Sequence, residues 1–116
     1  MNNKEWVRNR YLFLQLPEER KILFFSFLAH ELTVFARGAY PEQGQNNGES
    51  TNKLMAFNEM EHNITSQLAH MLAKNEKRYP DEVFADILFE KAQTANCESD
   101  LVVAFDFAFK RLLLVE

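Results

Sequence analysis

The chain has 116 residues, a length that supports one hydrophobic core and is too short for two independent domains. Its 13 basic and 17 acidic side chains give a formal net charge of −4, which argues against a general nucleic-acid or anionic-membrane binder because both need a positive surface. The single cysteine, Cys97, excludes an intrachain disulfide framework and a zinc site built from several cysteines. We therefore expect residues 1–116 to form one compact domain.

Aromatic residues are frequent in this chain and helix breakers are rare. There are 11 phenylalanines, and their burial removes a large apolar area from water. Only 3 glycines and 3 prolines are present, which favours a few long elements over many short strands joined by turns. We predict an all-α fold, a compact bundle of four to five helices with a mobile polar loop between the second and third.

The first two helices are predicted over residues 4–15 and from Pro17 to about Arg37. Proline at a first helical position loses no needed hydrogen bond, and the two glutamates after it lie at the positive end of the helix dipole. Gly38 can adopt the left-handed conformation that ends a helix. The polar segment 40–50 follows, and its length and breaker content predict a mobile surface loop.

The third helix is predicted to begin at Ser50 or Thr51, either of which is a good N-cap, and to reach about Lys74. A second proline-then-acid sequence, 80–82, predicts the start of a fourth helix that ends near Thr94.

The last element, 101–115, has two competing interpretations. Phenylalanine at every second position from Phe105 to Phe109 has the period of a strand. No other segment looks like a partner strand, and Asp106 and Lys110 have the spacing of a helical ion pair. We therefore predict a helix, opened by a cap within 97–100.

Helical periodicity places polar side chains in one line on the second helix and in one group on the third. The line on the second helix contains Ser26, His30, Thr33 and Arg37. The group on the third helix contains Asn58, Glu61, His62 and Thr65. Polar lines on helices that pack together are costly to bury unless they pair. We therefore expect these eight side chains to meet in an internal polar seam, which is the candidate binding site.

The second and fifth helices carry apolar side chains nearly all round. A helix of this kind must be surrounded by protein, so the second helix is the expected centre of the bundle. On the fifth helix, one apolar side holds Val103, Phe107 and Leu114 and the opposite side holds Leu101, Phe105 and Leu112. Because large exposed apolar patches are rare on monomers, this surplus predicts a protein that acts by helix–helix association, as a homodimer or with a protein partner.

A ligand- or metal-binding bundle is the alternative, with a polar site from His30, Arg37, Glu61 and His62. Residues 59–62 contain a Glu-x-x-His step, but the second copy and the two further glutamates of a ferritin-like di-metal site are missing. A mononuclear site from His30, Glu61 and His62 stays open, as does a closed hydrogen-bond network without a ligand.

No catalytic residue and no cofactor are predicted. Cys97 lies at a break between helices with no histidine signature around it, and no glycine-rich phosphate loop is present. A nucleic-acid partner is not expected because the net charge is negative. A membrane partner is not expected either, because the longest mostly apolar stretch, 22–36, is interrupted by His30 and Glu31 and is too short to span a bilayer. No signal peptide is visible in the first residues, so we expect a cytoplasmic protein.

Overall fold

The structure, a computed structural model, describes residues 4–39, 48–73 and 82–115. Over these residues the chain forms five helices and no strand. The helices are α1 (Lys4–Leu14), α2 (Glu18–Ala39), α3 (Gly48–Ala73), α4 (Glu82–Thr94) and α5 (Glu98–Leu113). The predicted all-α bundle is confirmed. The predicted loop between the second and third helices falls largely on residues 40–47, which lie outside the described residues.

The turn between α4 and α5 shows why the last element is a separate helix. Asn96 has a φ of 58°, in the left-handed region that asparagine tolerates better than most residues. Its N–H donates to the Gln93 carbonyl at 3.1 Å, and the Cys97 N–H donates to the Ala92 carbonyl at 2.8 Å. This pair of bonds ends α4, and α5 begins directly after Cys97, three residues before the predicted start at Leu101.

The core is built from phenylalanine rings that contact one another across helices. Phe24 of α2 lies 5.5 Å from the ring of Phe13 in α1 and 5.1 Å from that of Phe105 in α5, measured between ring centroids. Trp6 of α1 stacks on Phe89 of α4 at 4.5 Å. Tilted and stacked contacts of this kind stabilise more than their buried area alone, so the aromatic content joins α1, α2, α4 and α5.

Helix α2 packs against both α3 and α5. Phe35 of α2 stacks on Phe57 of α3 at 5.8 Å. On its α5 side, the Arg111 guanidinium lies 5.8 Å above the Phe27 ring. The central position expected of α2 agrees with these contacts, and its Phe25 ring also contacts Phe13 of α1 and Phe84 of α4. One line of its side chains nevertheless reaches solvent. The exposed residues on this helix include Ser26, His30, Val34 and Arg37.

Ion pairs on the surface join helices that are distant in sequence. Arg10 of α1 makes a two-pronged contact with the Asp86 carboxylate of α4, at 2.9 and 3.3 Å. Lys91 of α4 donates to Glu59 of α3 at 3.2 Å. These pairs are partly or largely exposed, so each contributes less than about 1 kcal/mol and the aromatic core carries most of the stability.

Candidate functional site

The eight polar residues predicted to form an internal seam lie at the surface. Thr33 and Glu61 are half-buried. The exposed members are Ser26, His30, Arg37, Asn58, His62 and Thr65. The burial predicted for the seam is therefore wrong. Ligand binding by these residues stays a prediction, without the enclosed site that suggested it.

The hydrogen bonds of the seam hydroxyls stay within single helices. Ser26 donates to the Ile22 carbonyl at 3.1 Å, and Thr33 donates to the Ala29 carbonyl at 3.0 Å. Thr65 donates to the Glu61 carbonyl at 3.0 Å. A hydroxyl that bonds to the carbonyl four residues earlier is satisfied without any partner helix. These polar residues therefore need no burial against each other.

The direction of the α2 line explains why it misses α3. Because Phe35 stacks on Phe57, α3 lies on the Phe35 side of α2. At about 100° per residue, the four polar residues of the α2 line lie about 140–180° away from Phe35 around the helix. The line therefore points away from the helix it was expected to meet.

The described parts of the chain contain neither a cluster of metal ligands nor a reactive thiol. Residues 4–39, 48–73 and 82–115 contain no group of three or more His, Cys, Asp or Glu side chains that could hold a metal ion, so His30, Glu61 and His62 do not converge. Burial raises the pKa of the Cys97 thiol from 9.0 to about 11, and the nearby carboxylate of Asp100 adds to the rise. The thiol is therefore neutral at physiological pH, the unreactive form of a cysteine.

Two open clefts lie between helices. One, of about 550 Å³, lies between α3 and α4, and the Glu59–Lys91 ion pair is part of its wall. The other, of about 350 Å³, lies where Leu16 and Arg20 meet the end of α5. Among the residues that the structure describes, no phenylalanine lines either cleft.

The most distinctive surface is a row of side chains along α5, which we call the outer stripe of α5. Its members follow one another at alternating intervals of three and four residues, the spacing of a helix–helix contact. They are Asp100, Val103, Phe107, Lys110 and Leu114. Val103, Phe107 and Leu114 are 40%, 43% and 83% exposed. The stripe thus combines an exposed apolar centre with an acidic residue at one end and a basic residue towards the other.

The opposite face of α5 is core, which fixes the direction of the stripe. Leu101, Ala104, Phe105 and Ala108 are fully buried against the other helices. Phe105 and Phe107 therefore point in different directions although they are two residues apart, as expected of successive helical positions about 200° apart. The two apolar sides predicted for this helix exist, and one of them is in solvent.

Cationic side chains lie over one aromatic ring of the stripe and one ring beside it. The Lys110 ammonium lies 5.6 Å from the centroid of the Phe107 ring, one helical turn earlier. On the α2 side, Arg111 covers Phe27 and pairs with Glu31 at 3.6 Å. On the α1 side, Arg8 pairs with Asp106 at 3.7 Å. The apolar centre of the stripe is thus bordered by charged groups, the arrangement of a protein interface with a polar rim.

Sequence reasoning missed two residues with specific polar contacts. Asn9 of α1 is fully buried, and its Nδ2 donates to the Val102 carbonyl of α5 at 3.5 Å. A signal was available, because Asn9 falls between Trp6 and Phe13 at the spacing of one buried helical face. Arg20 donates to two carbonyls at the end of α5, and no local pattern in the sequence pointed to it.

No described helix is both long and apolar enough to cross a membrane. In comparisons with known proteins, no protein-family model, no curated protein and no solved structure matches this chain.

Proposed function

We propose that this chain acts by protein–protein association through the outer stripe of α5, as a homodimer or with another protein. The observation that carries the proposal is the exposure of Val103 and Phe107 on one side of α5 and of Leu114 directly after the end of the helix. Leaving such a row in water costs free energy that a packed partner helix would recover, at about 25 cal/mol for each Å² of apolar surface covered. Aromatic residues are also enriched in interface centres, and Phe107 lies in the middle of this stripe.

The rigid support of the stripe favours this proposal over a ligand-binding role. Helix α5 is fixed through Phe105 and Leu112, both buried, while Val103, Phe107 and Leu114 on its outer side are exposed. A partner can therefore bind without rearranging the core, so little of the binding free energy is lost to ordering the surface.

Site-specific photo-cross-linking in the producing cells tests this function. A benzoyl-phenylalanine placed at position 107 is expected to form an adduct with a second polypeptide, whereas the same probe at Met55 is not. Met55 is a matched control because it is 62% exposed and lies on α3. The adduct should be lost in a Val103→Glu background, since a charge one turn away blocks the apolar contact.

Two outcomes would contradict the association function. Equal adduct yields at positions 107 and 55 would show random collision. An adduct that persists with Val103→Glu would show that the outer stripe of α5 is not the surface in contact.

We also propose that the chain works in the cytoplasm. Cys97 is free and buried, a state that suits a reducing compartment in which thiols stay unpaired. Fractionation of the producing cells should recover the chain with a cytoplasmic marker enzyme, and recovery with an exported marker would refute this location.

A further inference from the structure

We infer that the partner of the outer stripe of α5 is the same stripe of a second copy, packed antiparallel about a twofold axis; the inference rests on the proposed association function. Acidic residues occupy the first turn of α5, where Glu98 and Asp100 lie, and basic residues occupy its last turn, where Lys110 and Arg111 lie. An antiparallel copy brings the acidic end of each helix to the basic end of the other. The two helix dipoles are then also opposed, which is the favourable arrangement.

The spacing within the stripe sets the register. In a pair of packed helices, contact residues recur at alternating intervals of three and four residues. When the helices are antiparallel, each contact residue of one helix faces a contact residue of the other across the interface. If the twofold axis crosses the two helices at the level of Phe105, Val103 of each copy lies against Phe107 of the other. The same register places Asp100 opposite Lys110, and the twofold axis repeats both contacts. Apolar contacts thus form the centre, and one ion pair of opposite charge flanks it on each side. Leu114 lies one turn beyond the ion pair.

A parallel pair fits the same stripe less well. It would set Asp100 against Asp100 and Lys110 against Lys110, and like charges across an interface are repulsive. In the antiparallel register, the Lys110 side chain swings from its own Phe107 ring towards the second copy and uncovers that ring for Val103. The charges of the stripe therefore complement those of a second copy only when the two helices are antiparallel.

Charge reversal tests the inference by sedimentation equilibrium. Lys110→Glu and Asp100→Lys each place like charges at both ends of the antiparallel pair, and each should weaken self-association by at least about 10-fold. The double variant restores opposite charges and should associate like the parent chain. An equimolar mixture of the two single variants should associate through mixed pairs.

The fold of each variant needs a separate check, because Asp100 lies in the first turn of α5 and is half-buried. Circular dichroism should show unchanged helix content for Lys110→Glu, whose side chain is exposed. If Asp100→Lys fails to fold, Lys110→Glu together with a distance measurement decides the matter.

That distance is measured between spin labels attached to a Leu113→Cys variant. Leu113 is 83% exposed and lies beside the stripe, while Cys97 is buried and escapes labelling. Leu113 is eight residues past the pairing centre, so antiparallel helices should separate the two labelled backbones by about 25 Å. Parallel helices would bring them to about 10 Å.

The outcomes separate this inference from the function on which it rests. A dimer that Phe107→Glu abolishes, with a distance near 10 Å, overturns the antiparallel inference and leaves association through α5 standing. A monomer at millimolar concentration overturns the second copy as partner, and photo-cross-linking at position 107 then decides whether another protein binds there. A dimer that survives Phe107→Glu overturns both.

Discussion

At the scale of single residues, two buried groups define the chemistry of the interior. Asn9 is fully buried, its Nδ2 makes one long hydrogen bond of 3.5 Å, and its Oδ1 has no hydrogen-bond partner among the described residues. Cys97 is buried at the start of α5 and keeps its proton. A polar atom without a partner in an apolar interior costs stability, so Asn9 is a place where the core is not optimal.

Replacing Asn9 with leucine should stabilise the fold. Asn9→Leu removes the unpaired Oδ1 and keeps the number and branching of the side-chain heavy atoms, so the free energy of unfolding in urea is expected to rise by up to about 1 kcal/mol. Asn9→Ala leaves a cavity and should be less stable than Asn9→Leu by roughly 2–3 kcal/mol. A loss of stability in Asn9→Leu as large as that in Asn9→Ala would show that the amide is needed where it stands.

The Cys97 thiol should make stability fall at alkaline pH. Its pKa is 9.0 in the unfolded chain and is raised to about 11 in the fold, so the folded state binds the proton more tightly. The contribution of this thiol to the free energy of unfolding is therefore nearly constant well below pH 9 and falls by up to about 2 kcal/mol between pH 9 and pH 11. Urea unfolding at pH 7, 9 and 11 measures the slope. Cys97→Ala is the control, because other alkaline groups titrate in both proteins; identical slopes would contradict the prediction.

At the scale of elements, the helices are held by their ends as well as by their faces. Helix α4 stops at the left-handed Asn96, and α5 starts directly after it. The far end of α5 is capped from another helix, because the Arg20 guanidinium of α2 donates to the Leu112 and Val115 carbonyls, each at 3.1 Å. Carbonyls in the last turn of a helix have no partner within the helix, and a cation there also favours the dipole.

Removing the Arg20 cap should fray the last turn of α5. Arg20→Met keeps the apolar stem and deletes the donors, and we expect a loss of about 1–2 kcal/mol in the free energy of unfolding. Amide hydrogen exchange should accelerate at Leu114 and Val115, whose N–H groups bond within that turn. Arg20→Lys should recover part of the protection through its positive charge. Unchanged exchange at these two amides in Arg20→Met would show that Arg20 does not hold the turn.

At the scale of the whole molecule, the arrangement of helices separates one buried aromatic core from one exposed apolar row. Helix α2 is packed between α3 and α5, while Val103, Phe107 and Leu114 of the outer stripe of α5 are exposed. The stability of such a molecule depends on its own concentration if a second copy covers the stripe, because association favours the folded state by mass action.

Thermal unfolding should therefore shift with protein concentration. The midpoint Tm of the parent chain is expected to rise by about 2–5 °C for each tenfold increase in concentration, whereas that of Phe107→Glu should stay constant. The Met55→Glu variant, altered at an exposed apolar residue of α3, should behave like the parent. A Tm independent of concentration in the parent would argue against self-association.

Most of the secondary structure followed from local sequence patterns. Acidic residues after Pro17 indicate the start of α2, and helical periodicity places Phe57 and Ile64 on one apolar face of α3; both residues are fully buried. Such patterns are informative because capping and amphipathicity act within one or two helical turns. Periodicity places Leu72 close to the same face, yet its side chain is 73% exposed near the end of α3. Helical periodicity gives the direction of a side chain around its own helix, but it does not show where the neighbouring helix ends.

The order of the helices, their amphipathic faces and the two-sided apolar character of α5 were determined by the sequence alone, since these properties depend on residues close together in the chain. Only the tertiary structure decided which faces meet. It turned His30 and Glu61 towards the surface, buried Asn9, and left Phe107 in solvent while burying Phe105. The reason is geometric: periodicity fixes angles around one helix axis, whereas burial depends on where other axes lie, and that is set by contacts between residues far apart in the chain.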